Sequence, residues 1–162
     1  MVVSLNSGAS YGGSKLWEPD KFAEVARYFR DRHGAAVVLL SGPGEVDMVR
    51  GIAADSGAIP TIDPVQPVGM LKPMLARSAL LISTDSGPRH VGVAMQTPTV
   101  CLIGPNDRRY TDYCLEGQVV IQKDIECAPC QRKVCPLGHR NCMVMITVEE
   151  VIAAGESLLR AS

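Results

Sequence analysis

This chain has almost no excess of either charge. Lysine and arginine together number 16, aspartate and glutamate 17, and the formal net charge is −1. That balance argues against a nucleic-acid partner and against a strongly basic membrane patch. No run of about 18 apolar residues occurs, so no transmembrane helix is expected. The opening Met1-Val2-Val3-Ser4-Leu5 lacks the basic segment and apolar core of a signal peptide, so a cytoplasmic location is expected. Aromatic residues are scarce at 4%, with a single tryptophan. Two nucleotide fingerprints are missing as well. No Gly-Lys-Ser/Thr closes a P-loop, and no G-x-G-x-x-G is found. Internal repeats and low-complexity linkers are absent.

What is present fits one compact domain of 162 residues, 46% of them hydrophobic. A chain of this size buries about 68–70% of its unfolded surface and builds a core without staples. Short apolar runs at 2–5, 36–40, 59–62, 79–83, 99–103 and 119–122 read as strands. Between them lie segments of helical character. One starts near Pro19, with Phe22, Val25, Ala26 and Phe29 on one face and Gly34 as its stop. Others cover about 45–54, then 68–77 with Pro73 interrupting, then 86–95. Thr147-Val148-Glu149-Glu150 is a capping box that opens a last helix. Strand and helix in alternation predict an α/β fold, a doubly wound, Rossmann-like parallel sheet. Ligands of such a sheet bind at the carboxyl ends of its strands.

Two loops in that position have anion-binding composition. Gly8-Ala9-Ser10-Tyr11-Gly12-Gly13-Ser14-Lys15 follows the first strand. Its glycines let backbone N–H groups approach a ligand, and Lys15 adds the charge a pyrophosphate requires. An ordinary turn with a solvated lysine has the same composition. Ser83-Thr84-Asp85-Ser86-Gly87-Pro88-Arg89-His90 enters a helix, whose first N–H groups and dipole favour phosphate. Asp85 is unwelcome beside phosphate, so it either holds sugar hydroxyls or caps the helix. His90 is one turn into that helix and is either a ligand group or structural. Glu45 and Asp47 follow the second strand, where an acid often takes ribose hydroxyls. The ribose role is assigned to Glu45, and Asp47 reads as a solvated first-turn acid. Trp17 either walls a base or packs the loop onto the domain.

Six cysteines occur. Cys101 and Cys114 are isolated, while Cys127, Cys130, Cys135 and Cys142 form C-x2-C-x4-C-x6-C. Four thiolates at this spacing make a candidate structural zinc site, with His139 as an alternative ligand. An iron–sulfur cluster has the same ligand count. A loop of reduced thiols, or two disulfides, is the plainer alternative.

The glycine loop running into Leu16-Trp17 resembles the donor-domain opening of glycosyltransferase family nine, the ADP-heptose:lipopolysaccharide heptosyltransferases. Asp85-Ser86-Gly87-Pro88-Arg89-His90 is similar to that family's Asp-Ser/Thr-Gly-x-x-His signature. Thr97-Pro98-Thr99-Val100 and Gly104-Pro105 match the strand that follows. Cys127-Ala128-Pro129-Cys130, Cys135-Pro136-Leu137-Gly138-His139 and Cys142-Met143 resemble the cysteine-rich stretch of the heptosyltransferase II branch. The resemblance implies the C-terminal half of a GT-B glycosyltransferase, with residues 1–162 as the nucleotide-sugar donor domain. The N-terminal acceptor domain, which carries the expected catalytic base, is then absent from this chain, and the chain alone is expected to be inactive.

By the same resemblance, Lys15 neutralises the diphosphate and stabilises it as leaving group. Ser10, Ser86 and Gly87 bind its oxygens, Asp85 holds the heptose, and His90 supports the phosphate loop. No catalytic cofactor is implied. The implied partners are an ADP-sugar donor and, through the missing domain, a lipopolysaccharide core acceptor. The full enzyme is expected to be cytoplasmic and peripheral to the inner membrane. Another nucleotide sugar, or a non-catalytic nucleotide-binding module, is the alternative.

Overall fold

A computed structural model describes residues 1–8, 12–113 and 116–161. The strands are β1 (Val2–Asn6), β2 (Ala36–Leu40), β3 (Ile59–Pro60), β4 (Leu80–Thr84), β5 (Thr99–Ile103) and β6 (Gln118–Gln122). The helices are α1 (Pro19–His33), α2 (Val46–Ser56), α3 (Leu71–Leu75), α4 (Gly87–Ala94), α5 (Asn141–Val144) and α6 (Val148–Ala161). All six strands are parallel, in the order β3-β2-β1-β4-β5-β6. The order reverses between β1 and β4, and that is the switch point where ligands enter such sheets.

Parallel strands are buried on both faces, which is why they read as unbroken apolar runs. Every residue of β4 and β5 is buried. The pleat divides them: Leu80 and Ile82 join the large core with Phe22, Val25 and Phe29 of α1 and Val151 and Leu158 of α6. Leu81 points the other way, into a small core with Leu40 and Leu75, against which Val91 of α4 packs. β3 is a two-residue edge ending in Pro60, a residue that cannot donate to a further strand.

The capping box forms as expected. Thr147 N–H donates to Glu150 Oε2 at 2.8 Å, and Glu150 N–H donates to Thr147 Oγ1 at 3.3 Å. The helix expected over 68–77 does not form as one piece. A 3₁₀ turn, Val68–Met70, leads into the five residues of α3. Pro73 interrupts nothing, because it is the third residue of α3, where its missing N–H would have had no helical partner. The third strand is also shorter than the 59–62 expected. Among the described residues, no helix is long and apolar enough to cross a membrane.

Candidate functional site

Three hydrogen bonds lace the exits of β1 and β4 together. Asn6, the last residue of β1, donates through Nδ2 to Ser83 Oγ at 3.0 Å and to Ser86 Oγ at 2.8 Å. Thr84 Oγ1 donates to the carbonyl of Gly8. The two candidate loops are thereby brought to one place. A Cβ at Gly8 would overlap the Glu45 carboxylate, so glycine here lets that side chain lie against the loop. Glu45 Oε2 in turn accepts from the Gly42 N–H at 2.7 Å. The carboxylate thus reaches from the β2 exit to the β1 exit.

Beside it lies a cavity of about 290 Å³. Leu40, Val68, Leu71 and Val91 supply apolar wall, and Asn6, Glu45, Gln66 and Ser86 supply polar groups. An apolar slot with a few convergent polar groups has the chemistry of a small-ligand site. Asp47 is not part of it: its side chain is 98% exposed and pairs with Arg50. A groove of about 410 Å³ lies behind the Lys15 turn, between the cysteine segment and the start of α1. It touches none of the strand exits just described apart from the turn itself.

Next to the cavity, charges alternate. Lys15 is buried, and its Nζ donates to the Asp85 carbonyl at 2.9 Å and approaches Asp85 Oδ2 at 3.5 Å. Asp85 Oδ1 accepts from Arg89 Nη1 at 2.9 Å, and Oδ2 accepts from Asn106 Nδ2 at 2.6 Å. Arg89 is fully buried and reaches Asp112 Oδ1 at 3.2 Å. Arg108 meets the other Asp112 oxygen. Burial alone would raise the Asp85 pKa, but the Asn106 amide, Lys15 and Arg89 outweigh it and hold the carboxyl below its usual range. Lys15, Arg89 and Arg108 alternate with Asp85 and Asp112 in this cluster, which lies at the N-terminus of α4, where Ser86 and Gly87 begin the helix.

His90 is partly buried, and its ring turns to the segment after β5. It stacks on Tyr113 at 5.6 Å between centroids, with Nδ1 2.8 Å from the Tyr113 hydroxyl. Burial and the neighbouring Arg89 hold the imidazole below its ordinary pKa, which favours the neutral ring. Trp17 does not wall a base. It is fully buried, packs edge-on against Phe22 at 5.0 Å and donates through Nε1 to the Ile146 carbonyl at 3.0 Å. Ser10 and Cys114 lie outside the described residues.

The sequence reading missed Asn6, Arg89, Asn106 and Asp112. Arg89 had a signal: it stands four residues after Asp85, the spacing of a helical ion pair. Asn106 and Asp112 had none, because only the fold carries the segment after β5 over α4.

The four clustered cysteines, with His139, Ser14 and Pro105, line one small cavity of about 20 Å³. The peptide N–H groups of Arg140, Leu137, Gly138 and His139 face the Cys135 sulfur and hold its thiol below the usual range. Disulfides do not join them; all four are free thiols. Among the described residues, no group of three or more histidines, cysteines or acids is arranged to hold a metal ion. The isolated Cys101 is buried, which pushes its thiol up and makes it inert. The cysteine segment braces the loop after β1. Ser14 N–H donates to the Lys133 carbonyl at 3.2 Å, and Arg140 Nη1 donates to the Leu16 carbonyl at 2.8 Å. Gly12 has φ 151°, and a Cβ there would sit 2.5 Å from the Lys133 oxygen.

Known proteins resemble this chain in sequence and fold. Lipooligosaccharide heptosyltransferase 2 of Campylobacter jejuni is 29% identical over 168 residues, covering 99% of this chain and 52% of its own length. The crystal structure of a family 9 glycosyltransferase from Veillonella parvula superposes with a TM-score of 0.84 at 30% identity, over 100% of this chain and 46% of that one. E. coli ADP-heptose lps heptosyltransferase II superposes at 0.83 with 22% identity, over 99% and 46%, and supports the fold. The chain therefore spans about half the length of the curated relatives it matches. Residues 1–140 match glycosyltransferase family 9 (heptosyltransferase), and the chain belongs to that family.

Proposed function

We propose that this chain is the donor-binding half of a heptosyltransferase that holds ADP-heptose for transfer to a lipopolysaccharide core acceptor. The observation that carries the reading is the juxtaposition at the β1/β4 switch. The apolar slot with Glu45 at its edge suits adenosine, and the Lys15–Asp85–α4 corner beside it suits a diphosphate. Lys15 and the helix N-terminus then stabilise the departing ADP anion as the glycosidic bond breaks. Ser86 and Gly87 bind phosphate oxygens, with Ser10 assigned alongside them, and Glu45 takes the ribose hydroxyls. Asp85 already receives three donors, so a heptose hydroxyl would use its remaining lone-pair capacity. His90 acts through Tyr113, by bracing the segment over α4.

The acceptor and a general base belong to a second domain, and the full enzyme works in the cytoplasm at the inner membrane face. Calorimetry with ADP, ADP-heptose and UDP tests the donor assignment. Binding of ADP and ADP-heptose, with UDP at least about tenfold weaker, is expected. Preference for UDP would point to another nucleotide sugar. Folded protein that binds none of the three withdraws the reading.

The free thiols carry a second, independent reading. Four cysteines around one cavity, one of them met by several peptide N–H groups, have the donor chemistry of a structural zinc site. Cys127, Cys130, Cys135 and Cys142 would hold the ion and pin the segment that braces Ser14 and Leu16. Purified protein is expected to carry about one zinc per chain, lost in Cys130→Ser. Metal-free, folded protein with four thiols titratable by a thiol reagent would sink this assignment.

A further inference from the structure

We propose that Arg89 is a positioning residue of the donor site, which balances Asp85 so that Lys15 keeps its charge for the donor diphosphate. This role rests on the donor reading above. A fully buried arginine is costly to desolvate and needs close partners, and this one has two carboxylates. Its contact with Asp85, at 2.9 Å, is shorter than that of Lys15 with the same carboxylate, at 3.5 Å. The shorter contact of Lys15 is with the uncharged Asp85 carbonyl, at 2.9 Å. Asp85 therefore aims the ammonium, while its negative charge is shared among Arg89, the Asn106 amide and Lys15 itself.

Without Arg89 the nearest cation to Asp85 would be Lys15. The pair would tighten, and an incoming phosphate would compete with a buried carboxylate for the same ammonium. On its other side Arg89 holds Asp112, which Arg108 also meets. The alternating series Lys15, Asp85, Arg89, Asp112, Arg108 runs from the donor loop to the 3₁₀ turn Arg108–Tyr110 and fixes that segment over α4.

The test is binding of ADP and of adenosine to wild type, Arg89→Gln, Asp85→Asn and the double variant. Arg89→Gln is expected to weaken ADP about tenfold and leave adenosine unchanged, because adenosine carries no phosphate. In the Asp85→Asn background the same change is expected to do nothing further, since the carboxylate that Arg89 balances is gone. Arg89→Lys, which keeps the cation, is expected to recover most of the loss. If Arg89→Gln does not fold, Arg89→Gln/Asp112→Asn, which leaves no unbalanced carboxylate at 112, replaces it. Equal losses for ADP and adenosine, additive losses in the double variant, or unchanged ADP affinity would overturn the role of Arg89 alone. A wild-type chain that binds no ADP overturns the donor reading and this role with it.

Discussion

Replacing Lys15 by methionine is expected to weaken ADP binding by about 10- to 150-fold while the domain stays folded. The range follows from the roughly 1.5–3 kcal/mol that a hydrogen bond to a charged group contributes, at 1.4 kcal/mol per factor of ten. Folding is expected to survive because Asp85 keeps Arg89 and Asn106 as partners, so no buried carboxylate is left alone. Titration calorimetry with ADP, alongside circular dichroism, separates the two effects. A folded Lys15→Met protein that binds ADP like wild type would remove Lys15 from the phosphate site. The pH dependence should follow Asp85. Its folded pKa is lowered, so the stability it contributes is present above the unfolded carboxyl value. That stability is lost as pH falls through the folded value. The aim of Lys15 loosens over the same window, and ADP affinity should fall there as well.

Trp17→Ala is expected to destabilise the domain by about 3–5 kcal/mol, the range for truncating a large buried aromatic. For a chain of this size that lowers Tm by roughly 6–20 °C. The ring is fully buried against Phe22, and its N–H satisfies the Ile146 carbonyl just before α6. Removing it leaves a cavity and takes one of two donors from the Ile146 carbonyl, which Lys21 Nζ also meets at 3.1 Å. Because Trp17 stands two residues after Lys15, it also ties the Lys15 turn to the segment before α6. Thermal unfolding followed by circular dichroism measures the loss. A shift under about 2 °C would mean that the ring packs less tightly than described.

Much of the fold is legible in the sequence. The runs at 36–40 and 99–103 coincide with β2 and β5 residue for residue, because strands buried on both faces need apolar side chains at every position. The Thr147–Glu150 box is legible because capping is local, a matter of three residues' spacing. Local signals fail where a short segment has no partner of its own. The five-residue α3 takes its form from packing Leu75, with Leu71 and Met74, against Leu40 and Leu81, while Val68 and Met70 of the turn before it stay exposed.

For the site, the sequence by itself determined which loops could hold an anion. Glycines, Lys15, Asp85 and Ser86 must follow strands for backbone N–H groups and a helix dipole to face a phosphate. Tertiary structure decided what those residues do to one another. Strand order set β1 beside β4, and that adjacency brought Lys15 to Asp85 across 70 positions of sequence. It also folded the segment after β5 over α4, giving Asp85 its Asn106 and Arg89 its Asp112. Spacing along a chain reports contacts a helical turn apart. Whether a buried charge is balanced depends on what lies across the sheet, and only the folded molecule specifies that.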